Sequence, residues 1–166
     1  MKTLAIDPGS TRSAYVIYED GVILESDLCK NKVLINRMAG HFLVLPDIMA
    51  IEMIASYGMA VGKTVFETCV WIGRFIEAWD PRPHNRVYRI DCKMHLCHNT
   101  RAKDSNIRQA IIDRYPAIGG GKCPQIGIKK QPGPLFGVSK DIWSALAVGI
   151  TFDETCEGNQ DGKEED

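Results

Sequence analysis

The sequence predicts an α/β protein with five strands and four helices, and three observations support this prediction. The first 26 residues contain three short apolar runs separated by tight turns, which is typical of a strand meander. Residues 48–53 form a continuous apolar run, as expected for a strand buried on both faces. Four longer segments carry apolar residues at helical spacing. At 166 residues, the chain is long enough to bury one substantial core.

Each element follows from a local pattern. The first hairpin turns at Pro8 and Gly9, because proline presets φ and glycine permits the positive φ of a sharp turn. Residues 86–90 alternate in the manner of a fifth strand near a sheet edge. Residues 116–137 are rich in glycine and proline, and such a long loop in a compact domain is often functional. The predicted helices are 32–43, 62–79, 103–114 and 139–152, the last capped by Ser139.

Charge is distributed unevenly along the chain. Residues 153–166 hold seven acidic residues and one lysine, so we predict a folded domain over 1–152 and a disordered acidic tail over 153–166. Residues 82–140 hold twelve Lys or Arg residues and three Asp residues, which is the charge pattern of a protein that binds a polyanion. A solvated charged face is the alternative. The candidate nucleic-acid contacts are Tyr57, Lys93, Arg101, Lys103, Arg108, Lys129, Lys130 and Lys140.

The cellular setting is also predicted from composition. We find no signal peptide and no apolar run that approaches the roughly 18 residues of a membrane span. The six cysteines are scattered without the spacing of a disulfide framework. We therefore expect a cytoplasmic protein with reduced thiols and no membrane partner.

Three acidic residues from distant parts of the chain form a candidate site. Asp7 ends the first strand, Glu52 lies in the buried strand 48–53, and Asp141 lies in the first turn of the last predicted helix. Each residue also has an ordinary structural explanation. Asp7 would hydrogen-bond its own turn, Glu52 would face solvent at a strand end, and Asp141 would interact favourably with the helix dipole. If the two strands are parallel neighbours, both carboxylates lie at the same sheet edge. Three carboxylates suit Mg²⁺, and two ions about 4 Å apart can hold both reacting oxygens of a phosphodiester.

These motifs resemble those of a known family. Residues 4–10 (Leu-Ala-Ile-Asp-Pro-Gly-Ser) with 14–17 resemble the opening motif of RuvC-type Holliday junction resolvases. Residues 50–52 resemble the second acidic strand of these enzymes, Gly73 matches the glycine of their following helix, and residues 141–151 resemble their closing acidic helix. The long loop before residues 139–143 is most similar to the phage and prophage branch. The resemblance covers nearly the whole chain except the tail.

The resemblance implies a fold and an activity. It implies the ribonuclease H-like α/β fold, with a five-stranded mixed sheet flanked by helices. It also implies a homodimer that nicks branched DNA such as four-way junctions with Mg²⁺ or Mn²⁺, leaving 5′-phosphate and 3′-hydroxyl ends. Two ions and no nucleotide cofactor are expected. Asp7, Glu52 and Asp141 would hold the ions, Lys93 resembles a basic residue after the fifth strand that contacts DNA, and Lys103 lies near another such position. A phage-encoded protein would act in the cytoplasm of a bacterial host.

Two departures from the family pattern bear on the site. Ser144 stands where the closing helix usually carries a second acidic residue or histidine, so it is a doubtful metal ligand and Asp91 is considered as a substitute. An aromatic residue just after the second acid recognises junctions in some members. Here that position is Ala55, and Tyr57 follows two residues later.

Three other functions are considered. A ribosomal-RNA-processing nuclease of the same fold usually lacks the Pro-Gly-Ser opening. An actin-like ATPase needs a second glycine-rich phosphate loop and about twice the length. A non-catalytic, zinc-stabilised nucleic-acid module would use the cluster Cys92, His95, Cys97 and His98, which lacks a clean Cys-x₂-Cys pair. If it binds no zinc, this cluster belongs to a helix near the basic surface.

Overall fold

The chain is organised around strand β1 (Thr3–Asp7), which pairs with a neighbour on each side. β2 (Arg12–Glu19) returns antiparallel across the short turn after Asp7, and β4 (Ile48–Met53) runs parallel to β1. The structure, a computed structural model, describes residues 1–56, 58 and 60–157. The other strands are β3 (Val22–Lys30), β5 (His84–Tyr88), β6 (Gly127–Ile128) and β7 (Gln131–Pro132), and the helices are α1 (Asn31–Met38), α2 (Lys63–Trp79), α3 (Arg89–Cys97), α4 (Asp104–Arg114) and α5 (Ile142–Glu157).

The main sheet is mixed and has five strands. Its order is β3-β2-β1-β4-β5, with β4 and β5 parallel and β2 and β3 antiparallel. The predicted five-stranded mixed sheet flanked by helices is therefore confirmed, as is the parallel pairing of the two acid-bearing strands. Because these two strands are neighbours, their carboxyl ends lie at the same edge of the sheet.

The two faces of the sheet are covered by different helices. Side chains alternate along a strand, so Leu4 and Ile6 lie on one face while Ala5 lies on the other. The first face packs against α1 and α2 through residues such as Phe75 and Trp79, which are fully buried. The second face packs against α5, and α3 and α4 pack in turn against α5. Asp7 and Glu52 share the alternation of Ala5 and Ala50, so their side chains lie on the second face.

Helix α5 lies close against β1 because of a glycine. An added Cβ at Gly149 would lie 3.2 Å from the Cβ of Ala5, which is tighter than nearly all real contacts. The absence of a side chain at this point lets the helix cross the strand closely. This packing fixes where the N-terminal end of α5 lies relative to the end of β1.

Residues 116–137, predicted as a loop, contain the small hairpin β6–β7. Within residues 116–137, the backbone at Gly119 and Gly133 passes very close to Pro124. A Cβ at Gly133 would lie 2.3 Å from the carbonyl oxygen of Pro124, and one at Gly119 would lie 2.5 Å from that atom. Leu135 is fully buried in the core beside α4 and α5. The segment is thus a packed element that ends beside the start of α5.

Several predicted boundaries differ from the structure. The fifth strand ends at Tyr88, two residues before the predicted end, because helix α3 begins at Arg89. The first helix covers 31–38 and stops short of the predicted 43, and α5 covers 142–157 where 139–152 was predicted. The first residues of the predicted disordered tail are therefore helical up to 157, while residues 158–166 lie outside the described part of the chain. Within the described part, no helix is long and apolar enough to cross a membrane.

Candidate functional site

Asp7 and Glu52 lie side by side at the carboxyl ends of β1 and β4. The strands pair in register through Ile6 and Ile51, so the next residue of each strand is an acid. Both acids share the parity of Ala5 and Ala50, whose side chains belong to the core beneath α5. The sheet therefore brings two carboxylates together on the face that α5 covers.

The start of α5 adds a third carboxylate. Asp141 directly precedes the helix, and its carbonyl oxygen accepts the first helical hydrogen bond from the N–H of Ala145 at 3.1 Å. Asp141 thus holds the cap position, and the cap predicted at Ser139 is wrong because Lys140 adopts a left-handed conformation with φ of 48° before the helix begins. Ser144 lies one turn later on the same helix face, and its hydroxyl lowers the pKa of the Asp7 carboxylate in part.

The electrostatics confirm that these groups are close. Burial, together with the charges of Glu52 and Asp141, raises the pKa of Asp7 to about 7, against the lowering effects of Arg89 and the Ser144 hydroxyl. Burial also raises the pKa of Glu52 above its ordinary value. Two partly buried acids that resist ionisation mark a place where negative charge lacks sufficient compensation.

Arg89 is the cation nearest to this charge, and sequence reasoning missed it. It is the first residue of α3, at the sheet edge that also carries Asp7 and Glu52. Its Nη1 lies 3.7 Å from Glu52 Oε2, and its Nη2 lies 2.6 Å from Asp104 Oδ1. The sequence prediction placed Arg89 inside a strand over 86–90. Its position after a parallel strand, at the edge where ligands bind in such sheets, was the signal that could have identified it as a site residue.

The contact between Arg89 and Glu52 is incomplete. Glu52 Oε2 and Arg89 Nη1 are both buried and have no hydrogen-bond partner. Asp104, which was also not singled out from the sequence, satisfies the other side of the guanidinium and raises the pKa of Glu52. Glu52 therefore presents a buried oxygen that is free to accept another positive partner.

The donor set fits a hard divalent cation by its chemistry. Carboxylate oxygens are the preferred ligands of Mg²⁺, the pKa of Asp7 indicates a deficit of positive charge, and Glu52 Oε2 lacks a donor. Among the described residues, however, no group of three or more His, Cys, Asp or Glu side chains is arranged closely enough to hold an ion. The three acids are thus gathered at one sheet edge, with Arg89 lying against Glu52.

A cleft of about 790 Å³ opens beside Asp141 and Ser144. It lies between α4, the start of α5 and the segment that precedes α5. Its basic residues are Arg89, Arg108 and Lys140, and its buried floor includes Ile107, Ile112, Val138 and Trp143. The acidic site therefore borders a cleft with an apolar floor and cationic sides.

The predicted nucleic-acid contacts occupy several places on the surface. Lys93 lies half-buried on α3, close enough to Glu52 to lower the pKa of that acid in part. Lys129 and Lys130 form the two-residue turn between β6 and β7. Arg101 and Lys103 are exposed just before α4, Arg108 and Lys140 line the cleft, and Tyr57 lies outside the described residues.

Two other sequence hypotheses place their residues elsewhere. Asp91, considered as a substitute ligand, accepts a hydrogen bond from the N–H of Tyr88 at 3.1 Å and so caps α3. It lines a separate cleft with the C-terminal half of α5. In the proposed zinc cluster, Cys92 is fully buried and His95 Nε2 lies 2.5 Å from Glu154 Oε2. The part of the chain that the structure describes contains no zinc-binding group of these side chains.

Two solved structures are similar to this chain over nearly its whole length. The first is Thermus thermophilus RuvC in complex with a Holliday junction substrate, at 16% identity and a TM-score of 0.65, covering 96% of each chain. The second is Thermus thermophilus RuvC, at 16% identity and a TM-score of 0.62, covering 96% of this chain and 97% of that one. No protein-family model matches the sequence, and no curated protein sequence matches it significantly. The likeness confirms the predicted ribonuclease H-like fold and the resemblance to RuvC at the level of structure.

Proposed function

We propose that this chain is a metal-dependent, structure-selective endonuclease that nicks branched DNA and resolves Holliday junctions. Support comes above all from one observation: Asp7, Glu52 and Asp141, from three distant parts of the chain, are gathered at one sheet edge beside a cleft with cationic sides. The similar Thermus RuvC was solved with a Holliday junction substrate, which favours branched DNA as the ligand.

Asp7, Glu52 and Asp141 would hold two Mg²⁺ or Mn²⁺ ions, with Ser144 beside them. Bound there, the ions would supply a nucleophilic water and neutralise charge on the phosphodiester, giving 5′-phosphate and 3′-hydroxyl ends. The Ser144 hydroxyl, which lowers the pKa of Asp7 in part, would orient that carboxylate. Arg89, whose Nη1 has no hydrogen-bond partner beside Glu52, would donate to an oxygen of the phosphodiester and stabilise its negative charge.

The basic residues would hold the DNA backbone on both sides of the scissile phosphate. Lys93 lies next to the acids, and Lys129 and Lys130 protrude at the hairpin turn, so they would contact phosphates at different distances from the site. We further propose a homodimer, because a four-way junction offers two symmetric strands, and action in the cytoplasm of a bacterial host of the encoding phage.

The proposal is tested by cleavage of end-labelled four-way junction, flap and linear duplex DNA in Mg²⁺. Wild type should nick the junction at paired symmetric positions. Asp7→Asn should bind the junction but not cut it, and Asp20→Asn should cut as wild type does. Asp20 is the matched control because it is exposed in a turn at the far end of β2, with a φ of 48° that asparagine also tolerates.

Binding without cleavage by wild type in both Mg²⁺ and Mn²⁺ would favour the second function, a non-catalytic junction binder. Ser144 in place of an acid is the observation that supports this alternative. Equal cleavage of linear duplex and junction would contradict structure selectivity. Cleavage of structured RNA in preference to DNA would favour the ribosomal-RNA-processing alternative.

A further inference from the structure

The cleft between α4 and the start of α5 has properties that phosphate binding alone does not require. A site for a phosphodiester backbone needs cations at its surface, whereas this cleft has an apolar floor that includes Ile107, Ile112 and Val138. Its volume of about 790 Å³ leaves room for a group larger than a phosphate. A flat group with apolar faces and a polar edge would suit both the floor and the sides.

Arg108 provides a platform for such a flat group. It is exposed on α4, and its guanidinium carbon lies 4.9 Å from the ring centroid of Trp143. Trp143 itself is only 8% exposed, so the indole supports the guanidinium from beneath and offers little surface of its own. Arg108 lines the cleft and is exposed, so a group that enters the cleft can reach its guanidinium. Guanidinium planes and aromatic rings are the groups on which proteins stack unpaired bases.

Polar groups in the same cleft can meet the edge of a base. Ser105, Gln109 and Ser139 line it and offer both donors and acceptors. Asp104, which is held by Arg89, could accept from an exocyclic amino group. Asp141 and Ser144 also line the cleft, so a base held there would lie within one or two nucleotides of a phosphate at the acidic site.

We propose that this cleft binds one unpaired nucleobase from the branch point, stacked on Arg108, and that this contact selects where the strand is nicked. The inference rests on the proposed function and deepens it, because it names the part of the DNA that the cleft recognises. Branched DNA offers unpaired or easily unstacked bases at its branch point, whereas linear duplex keeps its bases paired and stacked. The cleft would therefore favour branch points over continuous duplex.

The test uses four-way junctions that carry 2-aminopurine, a fluorescent base, at each position within three nucleotides of the branch. Binding of wild type without divalent metal should change the fluorescence at one position. Arg108→Met should abolish that change, and Arg108→Lys, which keeps the charge but not the plane, should abolish it too. Lys32→Met is the matched control, since it removes one exposed cation from α1, on the other side of the sheet, and should preserve the change.

An abasic nucleotide at the same position separates stacking from charge. It should weaken wild-type binding by about tenfold, as expected for the loss of one stacked base, and should weaken binding by Arg108→Met no further. Circular dichroism should show both Arg108 variants folded, since the side chain is exposed.

The possible failures are distinguishable. If wild type binds no branched DNA in preference to duplex, the proposed function fails and this inference fails with it. If wild type binds and cuts junctions but no position changes fluorescence, or if the abasic junction binds as tightly as the intact one, only the base-binding inference is overturned. Equal effects of Arg108→Met and Lys32→Met would also overturn it, because loss of a cation outside the cleft would then matter as much as loss of Arg108.

Discussion

Replacement of Asp7 by asparagine should stabilise the protein near neutral pH, although under the proposed function the same change would abolish cleavage. Burial and the two neighbouring acids raise the pKa of Asp7 from 3.8 to about 7. The folded protein therefore holds a proton that the unfolded chain releases at much lower pH. In that interval the folded state binds more protons, so its free energy of unfolding falls as pH rises from about 4 to about 7.

The size of the effect follows from this difference in pKa. An increase of about 3 corresponds to at most about 4 kcal/mol, at about 1.4 kcal/mol for each unit. Water that enters the partly open site reduces the penalty, so we expect about 2 kcal/mol at pH 8. Asparagine has nearly the shape of the protonated acid, and it carries no charge at any pH. Asp7→Asn should thus equal wild type in stability near pH 4 and exceed it at pH 8.

Urea denaturation of both proteins between pH 4 and pH 8 measures this difference, with Asp20→Asn as the control for an exposed aspartate. Excess Mg²⁺ at pH 8 should stabilise wild type and leave Asp7→Asn nearly unchanged, because a ligand stabilises only the state that binds it. A constant stability difference between wild type and Asp7→Asn across this pH range would refute the argument. So would an equal effect of Mg²⁺ on both proteins.

Three further predictions concern the scaffold around the site. Leu135→Ala should lower the free energy of unfolding by about 2–5 kcal/mol and increase hydrogen exchange in the β6–β7 hairpin, because Leu135 is fully buried; unchanged exchange there would contradict its role as an anchor. Asn31→Ala should lower the free energy of unfolding, measured with urea, by about 1–3 kcal/mol. The reason is that the buried Ser13 hydroxyl would lose its acceptor, Asn31 Oδ1, which lies 2.8 Å away. A decrease below about 0.5 kcal/mol would contradict this reason. Hydrogen bonds from Arg114 and His95 lower the pKa of Glu154, against the raising effect of burial. Glu154 therefore stabilises the fold above its unfolded pKa of 4.5, and this stabilisation is lost as pH falls. Glu154→Gln should weaken the dependence of the free energy of unfolding on pH below about 5, and an unaltered acid denaturation curve would contradict this.

The sequence predicted those parts of the site that depend on strand patterns. Asp7 and Glu52 each end or interrupt an apolar run, and parallel strands bring such positions together whatever the rest of the chain does. The same pattern placed Arg89 in a strand, since alternation cannot distinguish the last residue of a strand from the first residue of a helix. The ion pair of Arg89 with Asp104 joins two helices and has no local signature.

The segment before α5 was beyond sequence reasoning for a similar reason. Its glycines are needed because backbone atoms from distant turns approach them, as at Gly133 and the carbonyl oxygen of Pro124. Composition alone predicts only a loop. The start of α5 was misplaced by three residues because the left-handed residue Lys140 interrupts the helical pattern before Asp141. The local sequence pattern thus predicted which acidic residues lie close together, but not the backbone contacts that position them.

The balance of charge connects Ser144 with Arg89. A fourth acid at position 144 would lie in contact with Asp7, whose pKa is already raised to about 7 by burial and two other acids. With serine there, the hydroxyl instead stabilises the ionised form of Asp7, and one arginine lies against the second carboxylate. Arg89 and a proton on Asp7 then offset part of the negative charge of the three acids in the folded protein. A site with four acids and no arginine would carry more uncompensated buried charge, so Ser144 and Arg89 together lower the electrostatic cost of folding at this sheet edge.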